Sequence, residues 1–444
     1  MALTGLEIFK LLPKTNCKKC GMPTCLAFAM QLAQKRARLD ACPDVSEEAK
    51  KVLAAAAAPP IRLVKFGVGD NQVQVGQETV MFRHEEKFYN PTVIGVTVSD
   101  KLSGEALKHR IEAINALQFE RVGARISVGA VAVVNESGSA EAFAAAAAAV
   151  KDSTSLAMIL VSESPDAISA AVGGVAEAAP LLACATAETS EAMARIARDN
   201  NCPLVAKAES VEALAELTDK IKTAGVEDIV LSHNGSSLSE QLSGFSKIRA
   251  LSLKKNFRPL GYPTVSFVTD GDTDTQAATA ISLICKYSSI VVVETVEPYA
   301  LLPMLTMVMN VFTDPQKPVQ VEPEVYTLGE PGADSPVMFT TNFSLTYYTV
   351  ESDVEASRVP SYVLVVDTEG TSVLTAYSGD KLNEKTVADA MAKAKVDELV
   401  KHRKLIIPGY VAVMSGKLEE ATGWEIMVGP RESSMLPKYL HEVW

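Results

Sequence analysis

A chain of 444 residues is too long for one ordinary hydrophobic core and implies two or three domains. Hydrophobic residues make up 48 % and charged residues 22 %, which excludes a disordered polypeptide and fits a soluble globular one. The formal net charge of −12 argues against a nucleic-acid surface, because any basic stripe would have to outweigh it. No apolar run reaches the ~20 residues that cross a bilayer.

In chain order, residues 1–20 have no basic region ahead of their apolar stretch and no small-residue cleavage site, so no secretory signal is expected and the protein is predicted to be cytoplasmic. NCKKCGMPTC, residues 16–25, then places three of the seven cysteines close together, and Cys42, followed by Pro43, completes Cys17-x2-Cys20-x4-Cys25-x16-Cys42. Four thiolates can hold zinc or an iron–sulfur cluster. Structural zinc sites usually draw two close pairs, whereas here there is one pair and two singles, the last before proline as in ferredoxin-type runs. The pattern therefore favours iron–sulfur, with a 4Fe-4S cubane as the natural form; zinc or plain buried thiols are the alternatives. Gly21, Pro23 and Thr24 keep the intervening backbone open towards the sulfurs, and LAFAMQLAQKRAR after Cys25 has amphipathic helical pattern. Cys184, Cys202 and Cys285 stand singly, as buried thiols of a reducing compartment do.

The alanine run 54–58 ends at Pro59 and Pro60, a plausible linker. From 93 to 294 short β-branched runs recur at 93–98, 126–134, 156–161, 181–185, 204–207, 228–231, 264–268 and 290–294, separated by helical stretches such as 105–117, 211–224 and 275–287. Alternating strands and helices imply parallel βαβ crossovers, and eight units match a closed (β/α)8, TIM-like barrel; an open doubly wound sheet is the alternative. Residues 68–80, ahead of the first unit, are expected to form a hairpin that plugs the barrel's lower end. Polar residues fall at predicted carboxyl ends of the strands: Asn135, Ser232, His233, Asn234, Asp270, Asp272, Glu294 and Glu297. That face carries catalysis in barrel enzymes, but no metal or nucleophile spacing stands out, and ordinary polar loops are expected.

Prolines at 315, 318, 323, 331 and 336 predict an extended connector. Beyond it, strand-like runs at 343–350, 362–367, 405–407 and 424–428, with helical pattern at 384–399, predict a small Rossmann-like α/β domain. VDTEGTSVLTAYSG, residues 366–379, reads as strand, polar turn and helix start, with Thr371 or Ser372 as N-cap and Gly370 allowing close approach to the turn. Such a turn suits a ligand or is simply a capped helix. The expected divisions are an iron–sulfur domain at 1–58, the barrel at 59–315, a proline-rich linker at 316–336 and the small domain at 337–444.

NCKKCGMPTCLAFA, the alanine–proline linker, the eight-unit pattern and the C-terminal TTNFSLTYYTVE, VDTEGTSVLTAYSG and KLIIPGYVAVMSGKLEE together resemble the large subunits of the corrinoid iron–sulfur proteins of the acetyl-CoA (Wood–Ljungdahl) pathway, over essentially the whole chain. The resemblance implies a corrinoid on the C-terminal domain, held at its nucleotide loop and amides by Gly370, Thr371, Ser372, Val373 and Leu374, and at its ring edge by Thr340 and Thr346. Gly409, Gly429 and Pro430 lie at other loops of the same edge. None of the histidines at 84, 109, 233, 402 and 441 sits in an Asp-x-His-x-x-Gly context, so the resemblance implies a base-off corrinoid without a protein histidine ligand. It further implies a methyl carrier and not a stand-alone enzyme. Co(I) takes a methyl group from methyltetrahydrofolate on a methyltransferase, methyl-Co(III) passes it to CO dehydrogenase/acetyl-CoA synthase, and the cluster on Cys17, Cys20, Cys25 and Cys42 returns an electron to Co(II). A small subunit would complete a heterodimer in an anaerobic organism, with flexible linkers serving several partners. An iron–sulfur electron-transfer protein with an enzymatic barrel and no corrinoid is the alternative.

Overall fold

Eight parallel strands dominate the middle of the computed structural model, which describes residues 5–33, 37, 39–46, 49–50, 53 and 59–444. The alanine run 54–58 and residues 34–36 and 38 of the predicted amphipathic stretch lie outside the described residues. The chain divides into two compact units, Met1–Gln118 with Ser127–Phe312, and Phe119–Ile126 with Thr313–Trp444.

The first unit opens with the short helices Gly5–Leu11 and Cys25–Ala33. A hairpin comes next, β1 (Val64–Phe66) paired antiparallel with β2 (Val73–Val75). After it come β3 (Val93–Ser99), then β4 (Gln118–Arg121) and β5 (Ala124–Ser127), a hairpin whose residues 119–126 belong to the second unit. Next are β6 (Ala130–Val134), β7 (Ala157–Val161), β8 (Leu181–Ala185), β9 (Leu204–Ala208), β10 (Ile229–His233), β11 (Val265–Val268) and β12 (Ile290–Val293). Parallel pairing runs β10-β9-β8-β7-β6-β3-β12-β11. A parallel bridge between Leu231 and Thr264 joins the two ends, so the sheet closes into the expected barrel and not an open layer.

Why strand hands over to helix so regularly is visible at the turns. Ser139, Ser164, Ser210, Ser237 and Asp272 each accept a backbone N–H three residues on, an N-cap worth about 1 kcal/mol each. Alternate residues fill the interior: Ala130, Ile159, Leu181, Val205, Val230, Val265 and Ile290 are all buried there. Val64, Phe66, Val73 and Val75 of the β1–β2 hairpin pack on this same cluster, so a hairpin does plug the barrel's amino end, but it spans 64–75 and not the expected 68–80. The segment after it is pinned by a buried pair: Arg249 Nη2 donates to Glu78 Oε2 at 2.8 Å and to the Val80 carbonyl at 2.6 Å. The guanidinium lies between the rings of Phe88 and Tyr287, 4.5 and 4.4 Å from their centroids. Burial pushes the Glu78 carboxyl up and Arg249 pulls it back.

In the second unit β13 (Val325–Leu328), β14 (Val337–Thr341), β15 (Ser361–Val366), β16 (Lys404–Ile407) and β17 (Glu425–Val428) form one sheet in the order β13-β15-β14-β16-β17. All pairs are parallel except β13 with β15. The proline-rich connector thus supplies an antiparallel edge strand, where extended, proline-flanked chain is tolerated. Helices cover both faces, and buried clusters lie on each.

Three expectations are corrected. The run 343–350 is not a strand but the start of the Ser344–Ser357 helix. Its aromatic and β-branched residues look strand-like, yet Ser344, Tyr347, Val354 and Ser357 are buried at helical spacing, and Tyr347 packs 4.5 Å from Tyr326; tertiary packing overrode propensity. The run 126–134 is two strands, because β5 pairs with β4 outside the barrel and only β6 enters it. Cys285 is exposed, whereas Cys184 and Cys202 are buried, and burial pushes those two thiols up to about 12 and about 11.

Candidate cofactor sites

The four N-terminal cysteines sit at the edge of a small apolar cluster. Cys25 and Cys42 are buried with Ile8, Leu12, Phe28 and Val45, and the half-buried Cys20 packs beside them, while Cys17 is exposed. Left-handed backbone at Lys14, Asn16, Lys18 and Gly21 turns the intervening chain repeatedly. Asn16 fastens that loop to the helix start: its Oδ1 accepts the Cys25 N–H at 2.8 Å, and its own N–H points at Cys25 Sγ at 3.4 Å. Thr24 caps the helix by accepting the Ala27 N–H, which sets Cys25 as its first residue. On the other side Asp44 pairs with Lys19 at 3.0 Å and accepts from Cys17 Sγ at 3.5 Å.

Burial raises the pKa of Cys42, and the neighbouring Cys20, Cys17 and Cys25 add to it by like-charge repulsion. All four sulfurs therefore share one neighbourhood. Among the described residues no three His, Cys, Asp or Glu side chains converge closely enough to share one ion. Four thiols with N–H donors beside them fit a cluster that takes one thiolate per iron, whose positive charge would offset the burial that raises Cys42.

The second site lies at the carboxyl edge of the C-terminal sheet. β14 has β15 on one side and β16 on the other, so successive connections leave it in opposite directions, and open α/β sheets bind ligands at such a switch point. A cavity of about 350 Å³ opens there. Of the predicted residues, Thr340, Thr346, Ser372, Val373, Leu374, Gly429 and Pro430 line it; Gly370, Thr371 and Gly409 do not. Much of the remaining wall is apolar, including Phe339, Leu345, Ile407 and Leu436, and Leu345 and Leu374 stay 57 % and 48 % exposed.

The hydroxyls of Thr340, Thr341 and Ser344 are buried without a hydrogen-bond partner, at a cost of roughly 1–3 kcal/mol each. Thr340 lines the cavity itself, so a polar group brought by a ligand would meet it. A flat apolar macrocycle fringed with amides, such as a corrinoid, fits this combination of apolar wall and orphaned hydroxyl. His402, whose Nε2 contacts the Ser335 carbonyl at 2.9 Å, is not among the lining residues, nor is any other histidine.

The residue that shapes this edge has no signature in the sequence reading. Asn342 is buried, and its Oδ1 accepts from the Thr368 N–H, the Thr368 hydroxyl and the Gly370 N–H at 2.9, 3.1 and 3.0 Å. Its Nδ2 donates to Asp367 and Gln320. An asparagine just beyond a buried strand is the available signal, masked when its surroundings are read as strand. The turn it holds leads to the Val373–Ser378 helix, with Ser372 as N-cap residue but no side-chain cap bond. Gly409 is glycine for a packing reason, since a Cβ there would meet the Gly429 carbonyl at 2.5 Å.

The barrel's carboxyl face is different. Asn135 Nδ2 donates to Ser162 Oγ at 3.1 Å. Asp272 caps a helix, and the Glu294 N–H is taken by Gln276 Oε1. Lys207 pairs with Glu163 at 2.7 Å. His233 is buried under Gly235 and Gly244, whose missing side chains make room for its ring.

A thiol-rich module, a (β/α)8 barrel and a C-terminal sheet with a cavity at its switch point define a cofactor-bearing multidomain α/β protein. A family profile described as CO dehydrogenase/acetyl-CoA synthase delta subunit matches residues 63–440, and an Fe–S cluster profile matches residues 12–43. The chain is 47 % identical to the corrinoid/iron–sulfur protein large subunit of Moorella thermoacetica, over 98 % of this chain and 97 % of that one. It is 37 % identical to the acetyl-CoA decarbonylase/synthase complex subunit gamma of Methanothermobacter thermautotrophicus, over 100 % and 99 %. A solved dihydropteroate synthase from Xanthomonas albilineans is similar with a TM-score of 0.37 and 14 % identity, over 51 % of this chain and 95 % of that one. The chain belongs to the family of corrinoid/iron–sulfur protein large subunits and acetyl-CoA decarbonylase/synthase gamma subunits.

Proposed function

We propose that this chain is a methyl-group carrier of the acetyl-CoA pathway, accepting a methyl group from methyltetrahydrofolate through a methyltransferase and delivering it to CO dehydrogenase/acetyl-CoA synthase. Residues 1–58 carry a 4Fe-4S cluster on Cys17, Cys20, Cys25 and Cys42; 59–315 form the barrel; 316–336 link it to the corrinoid-binding domain, 337–444. A small subunit of the same system is its partner. The observation that carries this reading is the cavity at the β14 switch point, where the buried, unpartnered Thr340 faces an otherwise largely apolar wall.

When bound, the corrinoid supplies a cobalt that takes up and releases the methyl group, and the cluster supplies the low-potential electron that restores it after oxidation. The chain's own part is to hold and shield. Leu345, Val373, Leu374 and Leu436 offer an apolar seat that excludes water, and Thr340 and Thr346 offer hydroxyls to ring-edge amides. No histidine lines the cavity, so a corrinoid held there would have no protein imidazole as its lower ligand; the corrinoid is read as base-off. Among the described residues no helix is long and apolar enough to cross a membrane.

The test is transfer of labelled methyl. With the methyltransferase and labelled methyltetrahydrofolate, label should move to this chain and then, on adding acetyl-CoA synthase, into acetyl-CoA. A corrinoid-loaded chain that acquires no label would overturn the carrier assignment.

A further inference from the structure

We propose that Arg431 is the anion-binding residue of the C-terminal cavity and takes the phosphate of the corrinoid's nucleotide loop; this rests on the corrinoid reading above. The sequence points instead to the 370–374 turn, but that turn's side-chain donors are already engaged. The Gly370 N–H and both donors of Thr368 converge on Asn342 Oδ1. The Glu369 N–H is held by Asp367 at 3.0 Å, the Thr371 hydroxyl by the Thr368 carbonyl at 2.7 Å, and the Ser372 hydroxyl by Thr375 at 3.1 Å. Asp367 flanks the same turn without a cationic partner among the described residues, while Glu369 is ion-paired with Lys381, so a phosphate placed there would meet the Asp367 charge. The helix behind it has only 6 residues, a weak dipole to set against that charge.

Across the cavity stand the two charged residues of its lining, Arg431 and Glu432. Glu432 accepts the Tyr410 hydroxyl at 2.7 Å. Arg431 has no ion pair or hydrogen bond among the described residues, although it lines a cavity that also presents the orphaned Thr340 hydroxyl. Its backbone is fixed: the Gly409 N–H donates to the Pro430 carbonyl at 3.0 Å and the Gly429 N–H to the Ile407 carbonyl at 2.8 Å. Any side chain at Gly409 would press on the Arg431 N–H, 2.8 Å from a Cβ there. Arg431 is exposed and stands beside Glu432, whose carboxylate is engaged by Tyr410; a guanidinium on a rigid turn at the cavity rim matches a phosphodiester in charge and in fork geometry.

The experiment titrates the full-length, corrinoid-free chain with two probes followed by corrin absorbance: cobalamin, which carries the nucleotide-loop phosphate, and cobinamide, which lacks loop and phosphate. Arg431→Gln should weaken cobalamin binding about tenfold and leave cobinamide binding unchanged, and Arg431→Lys should recover part of the loss. Equal loss for both probes, or no loss for either, would overturn the assignment. Failure of the unaltered chain to bind either corrinoid, with the small partner subunit present as well as without it, would overturn the corrinoid reading, and the role of Arg431 with it.

Discussion

The molecule has two carboxyl edges of parallel sheet, and they are finished in opposite ways. At the barrel mouth polar groups answer one another: Asn135 with Ser162, Lys207 with Glu163, Asp100 with the backbone and hydroxyl of Ser137. At the C-terminal edge three buried hydroxyls have no partner, and one of them, Thr340, lines a cavity. The barrel mouth is not wholly satisfied, since the buried His233 Nδ1 at the end of β10 also lacks a partner. There the orphan is a single atom, whereas at the C-terminal edge one of three orphaned hydroxyls opens on a cavity that a ligand could fill. Polar residues at strand ends are thus a poor guide to a site until their partners are known.

The contrast can be broken by substitution. The largest effect is expected in neither edge but in the thiol module: Cys25→Ser or Cys42→Ser should abolish bound iron, from about four per chain to near none, measured by metal analysis. Next, Glu78→Gln strips the buried Arg249 of its counter-charge and should destabilise the barrel by about 3–5 kcal/mol in denaturant unfolding. Corrinoid affinity should be spared, because the pair lies in the other unit.

The two edges are then compared directly. Thr340→Val deletes an unsatisfied hydroxyl and should stabilise the corrinoid-free chain by about 1 kcal/mol while weakening corrinoid binding. Ser162→Ala at the barrel mouth should cost about 1 kcal/mol and leave binding alone. If both substitutions destabilise alike, the edges do not differ as described.

The smallest effect concerns pH. Burial holds the His233 imidazole below its usual 6.5, with Glu240 and Glu212 opposing the shift and Lys247 adding to it. The unfolded chain therefore takes up a proton on this residue before the folded chain does. Stability contributed at neutral pH is lost as pH falls below 6.5 towards the folded value. Chemical denaturation at pH 7 and pH 5.5 should show a smaller drop for His233→Gln than for the unaltered chain.

Much of the molecule is legible in its sequence because it repeats. Eight β-branched runs, five of them followed by a capping Ser or Asp, spell the barrel through period. The thiol spacing needs no fold to be recognised. The features that escape are those that depend on contacts distant in sequence. Tyr347 becomes helical by packing on Tyr326, and the proline-rich connector becomes an edge strand by pairing with residues 361–364. Asn342 takes its role from a turn 26 to 28 residues later, and no local pattern announces it. Gly370 and Gly409 stand out in the sequence as places for a cofactor's approach; in the structure each makes room for the chain itself, Gly370 beside Gln320 and Gly409 against the Gly429 carbonyl.

Metal content with an optical spectrum of the anaerobically purified protein tests the presence of two resident cofactors most directly. The expected result is about four irons and one cobalt per chain, with corrin absorption that changes on reduction. Iron without cobalt, even after incubation with a corrinoid and the partner subunit, would contradict the assignment of the C-terminal cavity, and zinc in place of iron would contradict the reading of the four cysteines.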